Sequence, residues 1–267
     1  MKYNRNQDSS FWKLARSFLH EYMPIVRNLS DKTVESYKIS IKLYLTFIND
    51  EKNITNDKIT FDIFTRANMK DYIVWLKNKN ASAKTINLRM TALKSFLKYC
   101  SEEDFELRVF YNNACTIKGQ KIIKKPIEYL KPEATKAILS AFVGDTVKHR
   151  RNRMILILMY DSGCRVQEIA DLKVSSLHLD VRNPYMTVIG KGRKTRNVPL
   201  TRKTVLHLKN YLTEFHEESK DEYLFYSFLD NKPHQLSTDS IALILKQAAK
   251  IAKERCALVP DRVHCHM

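Results

Sequence analysis

The sequence is poor in glycine, with five in 267 residues, and it has no long hydrophobic run. Its longest clean apolar stretch, Met154 to Tyr160, is seven residues. A bilayer-spanning helix needs roughly 20, so no transmembrane segment is expected. The first twenty residues hold Asp8, Lys13 and Arg16 and no continuous apolar block, so no secretory signal is expected either. The cysteines Cys100, Cys115, Cys164, Cys256 and Cys265 are odd in number and widely spaced, which fits reduced thiols in a cytoplasmic protein. The run His264-Cys265-His266 behind Cys256 invites a metal. Adjacent ligands diverge, however, and no CxxC pair supports them, so no metal site is expected. Three signatures are also missing: GxxxxGK[ST], HExxH and GxSxG. Their absence removes phosphate-loop nucleotide hydrolysis, zincin chemistry and the hydrolase nucleophile elbow.

Acidic residues are in deficit. Lys and Arg number 46 against 29 Asp and Glu, a net charge of +17. Solubility asks for less than that, so the excess implies a polyanionic partner. Nucleic acid leads, because docking Lys and Arg on phosphates releases counterions. A membrane surface would need one concentrated basic amphipathic helix, whereas the charge here is spread along the chain. Hydrophobic residues at 44% and charged residues at 28% are globular composition, and the length suggests two domains.

Scarce glycine favours long helices. A first helix is expected over Ser10 to Met23, ending near Pro24. A second starts at the N-cap pair Ser30-Asp31 and runs to Asn49, with Val34, Tyr37, Ile41, Leu45 and Ile48 spaced by three and four. A third follows Thr65 and a fourth follows Ser82. In the fourth, Ile86, Met90, Leu93, Leu97 and Cys100 make a packing stripe. Asn87, Thr91, Lys94 and Lys98 make the opposite one, either a solvated face or a face for phosphates and grooves. From Phe105 to Ile127 periodicity fades, Asn112-Asn113 and Gly119 interrupt it, and Lys118, Lys121, Lys124 and Lys125 cluster. This reads as a basic linker able to lie along a duplex. The expected division is a helical DNA-binding domain over 1–105, a linker over 106–127 and a second domain over 128–267.

The second half reads as mixed. Helices are expected from Pro132 to Phe142, Arg153 to Tyr160, Thr201 to His216 and Ser237 to Glu254. Strands are expected at Tyr185–Ile189 and Arg196–Leu200 around a turn at Gly190–Lys194, with a short extended segment at Glu222–Tyr226. The fold class is therefore mostly α with a small antiparallel sheet in the second domain.

Two stretches carry the chemistry. In Tyr160-Asp-Ser-Gly-Cys-Arg-Val-Gln-Glu-Ile-Ala-Asp-Leu172 a buried helix ends at Gly163 and another begins at once. Arg165 projects from that corner with a rigid fork that fits two phosphate oxygens. Glu168, one turn on, either fixes the arginine or caps and solvates the helix. In Val188-Ile-Gly-Lys-Gly-Arg-Lys-Thr-Arg-Asn-Val-Pro-Leu200, Lys191 sits between two glycines at a hairpin tip, free to reach a ligand. The plainer reading is an exposed basic hairpin making nonspecific DNA contacts through Arg193, Lys194 and Arg196.

Together the two stretches, with their spacing, resemble the tyrosine recombinase (phage integrase) family, closest in style to its Xer-like and transposon integrase branches. Ser30-Asp-Lys-Thr33 with Tyr37, and Lys84-Thr85 with Arg89, Leu93 and Phe96, resemble the family's N-terminal core-binding domain. The resemblance implies a helical core-binding domain plus an α+β catalytic domain. It also implies a site-specific recombinase of a mobile element that clamps double-stranded DNA. A tyrosine attacks the scissile phosphate to give a 3′-phosphotyrosine, without metal, nucleotide or other cofactor. By resemblance Arg165 binds nonbridging oxygens, Lys191 protonates the 5′ oxygen, Glu168 supports the arginine, and His266 opens the His-x-x-Arg motif, with His264 the competing choice. Thr33, Lys84, Arg89, Lys94, Arg193, Lys194 and Arg196 are expected to touch DNA.

Cys164 and Gln167 stand where the family more often has an apolar and a small residue. The second arginine and the tyrosine would lie beyond residue 267, and Tyr226, the last tyrosine present, is misplaced for the role. Residues 1–267 are thus expected to bind DNA without cutting it. The family assembles as a tetramer on DNA, but the helix that commonly links neighbours would also lie beyond residue 267. The alternatives are a non-catalytic protein that occupies recombination sites, and a generic basic nucleic-acid-binding protein.

Overall fold

A computed structural model describes residues 10–123, 128–190, 192, 194–216, 222–229, 232–265 and 267. The chain divides into two compact units, Met1–Lys125 and Pro126–Met267.

The first unit is helical. Helix α1 (Ser10–Ser17) continues into a wider, π-type segment, Phe18–Val26, which contains Pro24. The expected stop at Pro24 is overrun, because a wider turn absorbs the backbone bond that proline removes. Helices α2 (Asp31–Lys52), α3 (Arg66–Asn78) and α4 (Ala83–Glu103) follow, entered through Ser30, Thr65 and Ser82. The Thr65 and Ser82 hydroxyls each accept a first-turn N–H, satisfying donors that have no helical partner. The core between them is aromatic: Phe11, Phe18, Tyr44, Phe64, Tyr72 and Phe96 are fully buried. Tyr44 donates its hydroxyl to the Ile63 carbonyl at 2.7 Å, so its polar end is satisfied in the interior.

The stretch expected as linker is partly built into this unit. A 3₁₀ turn at Phe105–Leu107 leads into α5 (Arg108–Cys115), which contains both Asn112 and Asn113 and packs on α4. Buried Leu107, Ala114 and Ile117 outweigh the weak helix propensity of the asparagines. Beyond α5 the chain is tied to the polar stripe of α4. Lys94 Nζ donates to the Ile117 carbonyl at 2.7 Å, and the Asn87 side-chain amide exchanges two hydrogen bonds with the Gln120 backbone at 2.9 and 2.7 Å. At Asn87 and Lys94 that stripe is therefore half-buried and holds the chain. Lys118 and Lys121 are exposed, whereas Lys124 and Lys125 lie outside the described residues.

The second unit is α+β. Helices α6 (Pro132–Leu139), α7 (Val147–Ser162) and the short α8 (Val166–Ala170) precede a three-stranded antiparallel sheet. Its strands are β1 (Leu177–His178), β2 (Tyr185–Ile189) and β3 (Thr195–Pro199). Register pairs Met186 with Val198 and Val188 with Arg196. Directly opposed residues share a face, so Arg196 points the same way as buried Val188. Helix α9 (Arg202–Phe215) follows, then a hairpin of β4 (Tyr226–Leu229) and β5 (Lys232–Gln235), then α10 (Thr238–Lys253). The extended segment expected at Glu222–Tyr226 contributes one bridge, Tyr223 to Lys173, while the strand proper begins at Tyr226. Among the described residues no helix is long and apolar enough to cross a membrane.

Candidate active site

The corner between α7 and α8 is set by backbone geometry. Gly163 caps α7 at φ +58°, in the left-handed region, and a Cβ there would meet nothing within 4 Å. The requirement at 163 is therefore for the dihedral, not for space. Two residues on, Arg165 is the N-cap of α8 with extended backbone (φ −67°, ψ 148°).

Glu168 anchors the corner and is 4% exposed. Its Oε2 accepts the Arg165 backbone N–H at 2.8 Å, the reciprocal half of a capping box. Its Oε1 accepts from Arg165 Nη1 at 3.0 Å. Arg196, arriving on β3, adds a bidentate pair, Nη1 to Oε1 at 2.7 Å and Nη2 to Oε2 at 2.8 Å. Four donors thus fill the roughly four acceptor positions of one carboxylate. The Arg196 fork pulls the Glu168 carboxyl down to about 2, against burial, with the Arg165 bonds adding to the effect. A carboxylate so committed stays ionised near neutral pH and anchors both arginines.

Arg165 spends one side-chain N–H on this anchor, and its side chain is 61% exposed. Among the described residues its remaining N–H groups have no partner. The result is a cation fixed at one edge and open at the other.

The root of the β2–β3 hairpin lies against the same carboxylate. A Cβ at Gly190 would fall 3.0 Å from Arg196 Nη1 and 3.2 Å from Glu168 Oε1. A side chain at 190 would thus press on this pair, whose atoms would have to give by a few tenths of an ångström, and the Gly190 N–H donates to the Lys194 carbonyl at 2.8 Å to close the turn. Lys191, the next residue, and Arg193 and His266 lie outside the described residues.

Both sequence blocks therefore meet at one carboxylate. A scan against family models matches the phage integrase family over residues 128–267 and the SAM-like N-terminal domain of phage integrases over residues 17–104. The chain belongs to the tyrosine recombinase (phage integrase) family. It is 28% identical over 234 residues to the tyrosine recombinase XerC of Chlamydia muridarum, covering 83% of this chain and 73% of that protein. It is 30% identical over 215 residues to a tyrosine recombinase of Pseudothermotoga lettingae, covering 80% and 70%. The recombinase fold recurs in a XerH recombinase solved with difH substrate in a post-cleavage complex (TM-score 0.68, 19% identity, 94% and 70% covered). It recurs again in a lambda integrase tetramer solved on a Holliday junction (TM-score 0.69, 15% identity, 98% and 71% covered).

In this chain the remaining expected contact residues are placed unequally. Lys84 and Lys194 are exposed, and Thr33 is half-buried with its hydroxyl 3.0 Å from Ser30 Oγ. Arg89 reaches back from α4 to α2, donating to the Ser40 hydroxyl at 2.9 Å and the Ser36 carbonyl at 3.3 Å. Lys94 holds the segment after α5, and both terminal nitrogens of Arg196 hold Glu168. Arg89, Lys94 and Arg196 thus serve internal contacts in this structure. The alternate β-strand positions carried a signal for Arg196, since strand parity puts it on the core side with Val198. His264 is exposed, and among the described residues no group of three or more His, Cys, Asp or Glu is placed to hold a metal.

Proposed function

We propose that this protein is a site-specific DNA recombinase that cuts and rejoins double-stranded DNA through a 3′-phosphotyrosine intermediate, with the nucleophile outside residues 1–267. The observation that carries the reading is Arg165, an open guanidinium fixed to a buried, fully bonded carboxylate in a recombinase catalytic domain. Phosphoryl transfer builds charge on the phosphate oxygens, and a cation held in place beforehand stabilises that charge without reorganising. In this reading Arg165 binds the nonbridging oxygens and Glu168 holds it. Lys191 protonates the leaving 5′ oxygen and His266 assists at the same phosphate. The first unit, with the basic residues that follow α5, grips the duplex. No cofactor enters the scheme.

None of the thirteen tyrosines acts as the nucleophile in this scheme. The last, Tyr226, donates its hydroxyl to the Phe215 carbonyl at 2.9 Å. The runner-up reading is a non-catalytic protein that occupies recombination sites. A nicked suicide duplex resolved on a denaturing gel tests the scheme: residues 1–267 shift the duplex but form no covalent adduct. An adduct would show that the tyrosine is among these residues. Reading the coding sequence past Met267 separates enzyme from binder. An in-frame Leu-Arg and a later tyrosine select the enzyme, and a stop codon selects the binder.

A further inference from the structure

We propose that Arg196 is a positioning residue that acts through Glu168, holding Arg165 and the root of the β2–β3 hairpin on one shared carboxylate. The inference rests on the reading of Arg165 as the phosphate-binding group. Both terminal nitrogens of Arg196 are engaged inside the protein, each giving an N–H to Glu168. Nη1 and Nη2 form a fork on Glu168 at 2.7 and 2.8 Å, and Nη2 also lies 3.8 Å from the sulfur of buried Cys164.

The connection is between separate elements, since Arg196 belongs to β3 and Glu168 to α8. The fork consumes both carboxylate oxygens symmetrically, which leaves Arg165 one lateral bond to Oε1 and turns its remaining donors outward. Gly190 completes the arrangement, because the hairpin backbone runs so close to the pair that a methyl group would press on both the Arg196 guanidinium and the Glu168 carboxylate. A two-guanidinium, one-carboxylate node carries a net charge of +1. Of its two cations Arg165 is the more open, with its side chain 61% exposed against 42% for Arg196.

The test uses residues 1–267 with ¹⁵N-labelled arginine side chains, the Arg165 signals being those lost in R165K. In the free wild-type protein the Arg165 guanidinium gives resolved signals. In R196Q they shift and average, in G190A they do the same with Arg196 still present, and R196K returns them part-way. Because G190A and R196K keep a cation at 196, they carry the test even where R196Q does not fold. Arg165 signals unchanged in R196Q and G190A overturn the proposal. A salt slope of duplex binding lowered by about 0.9 in R196Q would then mark Arg196 as a direct phosphate contact. Titrating the wild-type protein with a 30-base-pair mixed-sequence duplex separates the two failures. Arg165 signals that stay still on saturation sink the phosphate reading, whatever the variants show.

Discussion

Glu168→Gln removes one charge and almost no volume from the node. The carboxylate accepts four hydrogen bonds, two from each arginine when the backbone N–H of Arg165 is included. A glutamine offers one oxygen and turns an NH₂ group toward two of those donors, so two bonds are lost and two donors face a donor. Linkage gives the size. A carboxyl moved from 4.5 to about 2 contributes about 3 kcal/mol at neutral pH. Half-exposed partners are screened by water, which lowers the figure to about 2 kcal/mol. For a domain of this size that is a fall in Tm of about 4–8 °C.

The sign in pH is fixed. A depressed carboxyl stabilises fully above its ordinary value of 4.5, and the contribution is lost as pH falls toward about 2. Calorimetry of wild type and E168Q at pH 7, 4.5 and 3 should show a gap that narrows steadily with acid. Both tryptophans, Trp12 and Trp75, belong to the first unit, so their fluorescence should report an unfolding transition that the substitution leaves in place. A gap of constant size from pH 7 to 3 would refute the argument, because the stabilisation would then owe nothing to the carboxylate's charge.

Asn87→Ala deletes both hydrogen bonds to the Gln120 backbone, so hydrogen exchange at the Gln120 amide should accelerate at least about tenfold, the effect of about 1.4 kcal/mol. Tyr44→Phe removes one of the two hydrogen bonds that the Ile63 carbonyl accepts, the Asn68 side-chain amide at 3.0 Å keeping the other, and should cost about 0.5–1.5 kcal/mol, read as a lower urea midpoint with unchanged slope. Lys84→Ala, at an exposed position, should lower the salt slope of duplex binding by about 0.9 while leaving the melting temperature in place.

Much of the architecture was legible because local signals agreed with tertiary ones. Thr65, Ser82, Thr201 and Ser237 stand where their hydroxyls cap helices, and each does so. The β2 strand alternates, with Met186 and Val188 buried, Tyr185 and Thr187 half-buried and Ile189 exposed. Helix α5 was not legible: its local propensity is weak and its stability comes from burying Leu107, Ala114 and Ile117. The β4–β5 hairpin was missed because Lys232-Pro-His-Gln235 lacks an apolar alternation and carries a proline opposite Phe228. At the site, Arg165, Glu168 and the unusual glycines could be read from the corner and turn. Arg196, expected to touch DNA, also forms a fork on Glu168, a partner that the basic hairpin sequence does not announce by itself. Counting parity across the hairpin places it beside Val188 and Val198, facing the corner that holds Glu168.

Phosphate ethylation interference tests the central claim most directly, run with wild type and R165A on a duplex selected for binding from a random pool. The claim that Arg165 grips one DNA phosphodiester predicts that R165A keeps most of its affinity but loses sensitivity at a single phosphate. An interference pattern identical in the two proteins would contradict it.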